Sequence, residues 1–383
     1  GLTDPFRLEV WSYAVSGRPT LFLYLIGLAG LAAEHDWLAA RVFVASVSVL
    51  TVVIMMWALA PAIGRKRATL AALFFGLTAF HLLFARIIYE ASISTLFLLL
   101  AVGAATRAMA GRGFRWWLVW GAALGVGLWT YNAFRLVPVL FTIAIGGWAL
   151  ASGHRLKSVV AGIAAGALVA LVIVSPMIPT IVHGFGDFTF RAAELSVFNE
   201  AREAGSWQPL RRNLAAYPLL FVANSGQSDQ IYKWPGFSPP TAVVFWVGLG
   251  VAIGSIARRR GGQAAMVLFW LAAALLPGLL TLSIEAPHWC RSLYALPAAA
   301  VVLTYGLDRL GSLFNGRWKT VAASAALLVV AGGEWWAFQY RIADSREVFN
   351  FFYPRASTAA FAAAELAAAG GDVLASDEYA TED

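Results

Sequence analysis

Residues 62–102 read AIGRKRATLAALFFGLTAFHLLFARIIYEASISTLFLLLAV, and the reading of this stretch decides the fold. Three consecutive basic residues, Arg65, Lys66 and Arg67, open it; an apolar run follows, then a turn carrying His81, Arg86 and Glu90, then a second apolar run. Taking a charged side chain to the centre of a bilayer costs about 2.5–3.5 kcal/mol on insertion scales, so these charges belong at interfaces and the apolar runs between them. The pattern is that of a membrane hairpin: a basic end, a span, a polar turn and a second span. Basic loops mark the cytoplasmic side, which puts Phe80–Glu90 on the opposite face.

The rest of the chain repeats the pattern. Sixty per cent of its 383 residues are hydrophobic and only 13% charged, with a mean hydropathy of +0.70, far from ordinary soluble usage. A span needs about 20 mostly apolar residues. Such runs lie near 42–60, 68–85, 89–106, 116–131, 133–151, 158–182, 240–257, 263–284, 292–311 and 319–341, predicting about ten transmembrane helices. Basic connections recur at every second loop: GRKRA (64–68), RAMAGRGFR (107–115), GHRLK (153–157), ARRRGG (257–262) and NGRWK (315–319). The net charge of +7 is therefore topology, not a nucleic-acid surface. The shorter run 19–33 predicts an outer interfacial helix rather than a span. Many of the sixteen tryptophans fall near span ends, including Trp116, Trp117, Trp120, Trp129, Trp207, Trp234, Trp289, Trp335 and Trp336, the distribution of an aromatic belt.

The chain reads as a fragment at both ends. Residues 1–341 form the membrane-embedded unit, and 342–383 begin an extracytoplasmic soluble α/β domain, with STAAFAAAELAAAGG as a helix and DVLAS as a strand. One cysteine, Cys290, excludes an intrachain disulfide and a cysteine-based metal site.

On this topology the outer face collects Arg41, His81, Arg86, Glu90, Tyr131, Asn132, Arg135, Glu285, His288 and Arg291 near membrane level. Several arginines at one boundary suit an anionic head group, because guanidinium binds phosphate oxygens with a planar fork of donors. Snorkelling side chains give the same pattern without any ligand. Glu90, four residues after Arg86, reads either as a local helical pair or as a site group. His81 reads either as a hydrogen-bonded interfacial side chain or as a participant. Asp308 and Arg309 mark a cytoplasmic boundary, and Glu334, near the outer end of the last span, stays open. Motifs for a phosphate loop, HExxH, CxxC, GxSxG and a DxD pair are missing from the sequence.

Several stretches in order resemble the polyprenyl-phosphate-dependent glycosyltransferases of the GT-C class, the group of protein O-mannosyltransferases and lipid A aminoarabinose transferases. These are SGRPTLFLYLIGLAGL (16–31), LAARVFVASVSVLTVV (38–53), the hairpin quoted above, GLWTYNAFRLVPVL (127–140) and SIEAPHWCRSLYALPAAAVVLTYGL (283–307). The resemblance implies an all-α polytopic GT-C-like bundle and a sugar donor carried on polyprenyl phosphate. It also implies an acceptor glycan, lipid or protein, and a site facing outside the inner membrane. No separate cofactor or nucleic-acid partner is implied and no metal-binding residue is assigned; metal dependence and oligomeric state are left open. Arg41 and Arg86 match the arginines assigned to the lipid phosphate. His81, Glu90, Tyr131, Arg135, Glu285, His288 and Arg291 become substrate-cavity candidates. The family's acidic general base lies in a first outer loop whose position falls just before Gly1; Asp4 and Glu9 do not form the expected pair. Segment 183–239, with Trp207, Tyr232 and Trp234, suits either an outer covering loop that contacts sugar or an interfacial connector. The competing function is a secondary transporter or lipid flippase, which would place its polar groups near the midplane.

Overall fold

The structure is a computed structural model, and it describes residues 11–12, 18–31, 36–151, 154–183, 189, 193–222, 235–258 and 261–343. The expected soluble domain, Tyr232 and Trp234, and Asp4 and Glu9, lie outside the described residues.

Among the described residues sixteen α-helices in chain order carry the fold: α1 Leu21–Gly30, α2 Asp36–Ile63, α3 Arg65–Leu77, α4 Ala79–Phe84, α5 Ala91–Met109, α6 Arg115–Gly127, α7 Leu136–Ala151, α8 Leu156–Val174, α9 Ile178–His183, α10 Val197–Glu203, α11 Gln208–Ala216, α12 Pro239–Ala257, α13 Gly262–Leu279, α14 Trp289–Ser292, α15 Ala295–Gly311 and α16 Arg317–Ala337. A two-residue antiparallel ladder, Trp11–Ser12 with Arg18–Pro19, precedes α1.

Each of the ten apolar runs contains helix, and among the described residues seven helical stretches are long and apolar enough to cross a membrane: Leu38–Ile63, Ala91–Met109, Asn132–Leu150, Leu156–Met177, Pro239–Ala257, Gly262–Leu279 and Arg317–Arg341. The other three runs fold differently from a plain span. Run 68–85 breaks at Thr78, whose extended backbone separates α3 from α4 and whose side chain accepts from His81 N–H. Run 116–131 is helical only through Gly127, and run 292–311 begins in the short α14 before α15.

Two groups of helices pack side by side. In one, α5 lies between α2 and α6, with α8 against α6; in the other, α15 lies among α12, α13 and α16; the groups meet where α3 packs on α15 and α7 on α13. α5 and α15 are buried along almost their whole length, whereas α8 turns Leu168, Leu171 and Val172 outward. Between helices in lipid there is no hydrophobic drive, so close packing must supply the attraction, and small residues allow it. A Cβ on Gly121 would meet the Gly166 carbonyl carbon at 2.5 Å, so α6 and α8 touch backbone to backbone there.

α1 is a ten-residue helix, about 15 Å long, that packs along α2 with Phe22 buried and Leu28 and Leu31 exposed. It is too short to cross, as expected for an interfacial helix. The aromatic-belt reading needs correction in part. Trp207, Trp335 and Trp336 are exposed, but Trp117, Trp120 and Trp289 are buried. The indoles of Trp117 and Trp120 fill the space left by Gly162 and Gly166, so they serve helix packing. Arg107 likewise leaves its basic loop and turns inward, donating to the Gly103 and Trp57 carbonyls with its guanidinium 3.7 Å from the Trp57 ring. Asp308 pairs with Arg67 at 2.8 Å between α15 and α3, an exposed ion pair at the basic end.

Candidate functional site

At the end of the bundle opposite the basic loops, the chain turns at 85–90, 130–135 and 280–294, and all the candidate residues except Arg41 and His81 sit on these turns. α5 begins at Ala91 with Glu90 as its N-cap residue, and Ser92 Oγ ties the turn back by donating to the Phe84 carbonyl at 3.0 Å. Tyr131 has extended backbone, which starts the short 3₁₀ helix Asn132–Arg135. The Tyr89 and Tyr131 hydroxyls lie 3.4 Å apart with their rings edge-on. Glu90, Cys290 and Arg291 all lie within electrostatic range of the Tyr131 hydroxyl. Three turns distant in sequence therefore meet at one tyrosine.

The loop 280–291 supplies the charges. Glu285 Oε2 accepts from Arg291 Nη1 at 2.8 Å and from Thr281 Oγ1 at 2.9 Å. The pair is only partly exposed, with the Arg291 side chain at 15% and that of Glu285 at 25%. His288 donates its backbone N–H to the Tyr217 hydroxyl at 2.9 Å. Burial, then the neighbouring Arg291 charge, push the His288 imidazole down to about 3, so it is neutral at ordinary pH. Trp289, between them, lies against the Phe80 ring at 4.3 Å.

Other candidates make contacts of their own. His81 is buried beside Phe75, ring centroids 4.2 Å apart, inside the packing of α4. Arg135 Nη2 donates to Asn132 Oδ1 at 3.0 Å within its own turn. Arg86 is exposed and lays its guanidinium 4.6 Å from the centre of the Phe338 ring. Arg41 is half-buried in the first turns of α2, the end of that helix distant from its basic loop.

Residues that sequence reasoning passed over hold the outer segment down. The Glu200 carboxylate accepts from both the Ser283 N–H at 2.6 Å and the Ser283 hydroxyl. Asn213, fully buried, donates to the Leu279 and Thr281 carbonyls at 2.8 and 2.7 Å. Val197 N–H donates to the Leu280 carbonyl at 3.0 Å. The described part of segment 183–239 is thus docked on loop 280–288, although Trp207 faces outward beside Phe198. The only local signal for this docking was polar residues inside a long connection.

Below the turns, an apolar cleft of about 450 Å³ runs between α2, α5, α7 and α13. It extends from His154 and Gly262 at the basic end to Pro277 and Tyr294 at the opposite end. Over the fifteen helical steps from Gly262 to Pro277 that is roughly 22 Å of helix, most of the hydrocarbon thickness. Tyr294 donates to Ser94 Oγ at 3.0 Å and lies within electrostatic range of Tyr131 and Glu90, so the cleft ends beside the polar group. Among the described residues no cluster of three His, Cys, Asp or Glu side chains could hold a metal ion.

Residues 17–179 match the family model described as dolichyl-phosphate-mannose-protein mannosyltransferase. One curated relative, the uncharacterized ABC transporter permease YbbP of Escherichia coli (strain K12), is 27% identical over 152 residues, 39% of this chain and 18% of that one. Among solved structures, ArnT from Cupriavidus metallidurans bound to undecaprenyl phosphate is similar with a TM-score of 0.55 at 16% identity, over 92% of this chain and 70% of that one. The archaeal oligosaccharyltransferase AglB from Archaeoglobus fulgidus, in complex with an inhibitory peptide and a dolichol-phosphate, gives 0.56 at 14%, over 87% of this chain and 50% of that one. The chain therefore spans half of the archaeal enzyme and under a fifth of the curated relative. Likeness at these identities is likeness of fold, and the fold is that of the GT-C class.

Proposed function

We propose that this chain, a multi-span membrane protein with the GT-C glycosyltransferase fold, moves a sugar from a polyprenyl-phosphate carrier to an acceptor at the extracytoplasmic face of a bacterial inner membrane. The observation that carries this reading is the junction of a membrane-deep apolar cleft with a polar group built from Glu90, Tyr131, Glu285, His288 and Arg291 at one end of the bundle. A lipid-linked sugar needs both: apolar walls for an isoprenoid chain, and a polar site at membrane level for phosphate and sugar. The match of residues 17–179 and the likeness to ArnT support the same substrate class.

In the proposed reaction an acceptor nucleophile, such as a hydroxyl, attacks the anomeric carbon. The bond from that carbon to the phosphate oxygen breaks, and polyprenyl phosphate leaves with the electron pair. Arg41 and Arg86 stabilise the charge that develops on the leaving phosphate, because a guanidinium placed there binds the product anion more tightly than the ester. The Glu285–Arg291 pair and the neutral His288 shape the neighbouring wall, where fixed hydrogen-bonding groups orient sugar hydroxyls. The acceptor's proton passes to a carboxylate acting as general base. The acceptor is a glycan, a lipid or a protein.

The test is transfer of labelled sugar from a panel of polyprenyl-phosphate donors by the full-length protein in nanodiscs. Replacing Arg86→Ala is expected to lower turnover on the order of 100-fold, the scale of losing one charge-stabilising donor. Unchanged turnover removes Arg86 from the mechanism. The likeness to part of a transporter permease favours a second reading, a lipid flippase. Movement of undecaprenyl phosphate across liposomes with no sugar transfer from any donor would select it.

A further inference from the structure

Glu334 stands inside the apolar run 319–341 and is 1% exposed. An acid at that depth is expensive unless its oxygens are bonded, and here both are. Oε2 accepts the Ala79 N–H and Oε1 the Ser238 N–H, each at 2.8 Å. Both donors sit at helix starts, Ala79 as the first residue of α4 and Ser238 as the N-cap residue of α12, where the intrahelical ladder leaves N–H groups unbonded. One carboxylate thus ties α16 to the beginnings of two other helices. Gly333 makes the approach feasible, since a Cβ there would lie 2.7 Å from Ser238 Oγ and 3.0 Å from Pro240 Cγ.

One helical turn further on, the π-helical turn Phe338–Ala343 that continues α16 makes a second contact with the same segment. Phe338, four residues after Glu334 and so on the same helix face, carries the Arg86 guanidinium on its ring. The segment Ala79–Arg86 is therefore gripped at both ends, at its first N–H by Glu334 of α16 and at its last side chain by Phe338 of the turn that continues it. α4 has six residues, too few to be stable alone, so contacts with neighbouring elements decide where it lies.

We infer that Glu334 is a positioning residue that sets the place of Arg86 at the lipid-phosphate site by fixing α4 to α16. The inference rests on the reading of Arg86 as a phosphate ligand. The Glu334→Gln variant keeps one acceptor oxygen but turns an NH₂ group toward a backbone N–H, so it releases one of the two anchored ends.

The experiment compares wild type, Glu334→Gln, Arg86→Ala and the double variant. Binding of undecaprenyl phosphate to the full-length protein in nanodiscs is read by tryptophan fluorescence, with thermal melting measured alongside. Glu334→Gln is expected to weaken binding about tenfold. The double variant is expected to bind no more weakly than Arg86→Ala alone, because the carboxylate acts through the arginine. Additive losses, or a Glu334→Gln variant that melts lower but binds normally, overturn the inference while leaving Arg86 as a ligand. Normal binding by Arg86→Ala removes both. If Glu334→Gln does not fold, Phe338→Leu replaces it in the cycle, since leucine fills the buried site but offers no ring face. A loss of roughly two- to fivefold that disappears in the Arg86→Ala background supports the inference. An equal loss in both backgrounds, or no loss, rejects it.

Discussion

His288 has the environment with the plainest solution consequence. Its imidazole titrates near 6.5 in an unfolded chain and is pushed down to about 3 in the fold by burial and by Arg291. Between those values the unfolded chain binds a proton that the native one does not. Stability attributable to this residue is therefore full above pH 6.5 and falls as pH drops toward 3. Melting temperature measured from pH 7.5 to 4.5 should decline at the acid end, and His288→Asn should shallow that decline. An identical acid limb in the variant would mean that the imidazole is solvated. Sequence made His288, Glu285 and Arg291 visible as polar residues between two apolar runs. Their relation was not visible, because neither a helix nor a strand brings residues six apart into contact, and only the turn at 285–291 does so for Glu285 and Arg291.

Among the elements, the crossing of α12 and α15 depends on two glycines that face each other's helix. A Cβ on Gly248 would fall 2.0 Å from the Val302 carbonyl oxygen, and one on Gly306 2.0 Å from that of Val244. Backbone must move to admit either, whereas Gly250, two residues along α12, has open space. Alanine stabilises a helix interior by about 1 kcal/mol over glycine when nothing else changes. Gly250→Ala should therefore raise or hold the melting temperature, and Gly248→Ala should lower it by an overpacking cost of about 1–3 kcal/mol. Equal melting of the two would show that the helices are not in backbone contact. Most element positions were legible from run length and apolarity, which act within a segment. The break at Thr78 was not, because the N–H groups freed there are satisfied partly by Glu334, 255 residues away from Ala79.

The whole molecule is polar at both ends and apolar between, and its proposed function requires the Tyr131 end to face outward. Ile284 is 70% exposed at that end and Leu313 is 61% exposed at the basic end. Cys290, the chain's one cysteine, is buried, so background labelling is low. In intact cells a membrane-impermeant maleimide should modify an Ile284→Cys variant at once and a Leu313→Cys variant only after permeabilisation. The reverse order would put the polar group in the cytoplasm and end the proposal.

The sequence by itself determined that this chain lies in a membrane, where its helices run and which loops carry positive charge. A hydrocarbon layer imposes length and polarity on each segment separately, so the evidence is local. Only the tertiary structure decided which polar groups meet. Glu334 reaches Ser238 across 96 residues, Glu200 reaches Ser283 across 83 and Asn213 reaches Thr281 across 68. Such pairings come from how helices cross and where backbone N–H and carbonyl groups are left unbonded, and no periodicity along the chain encodes them.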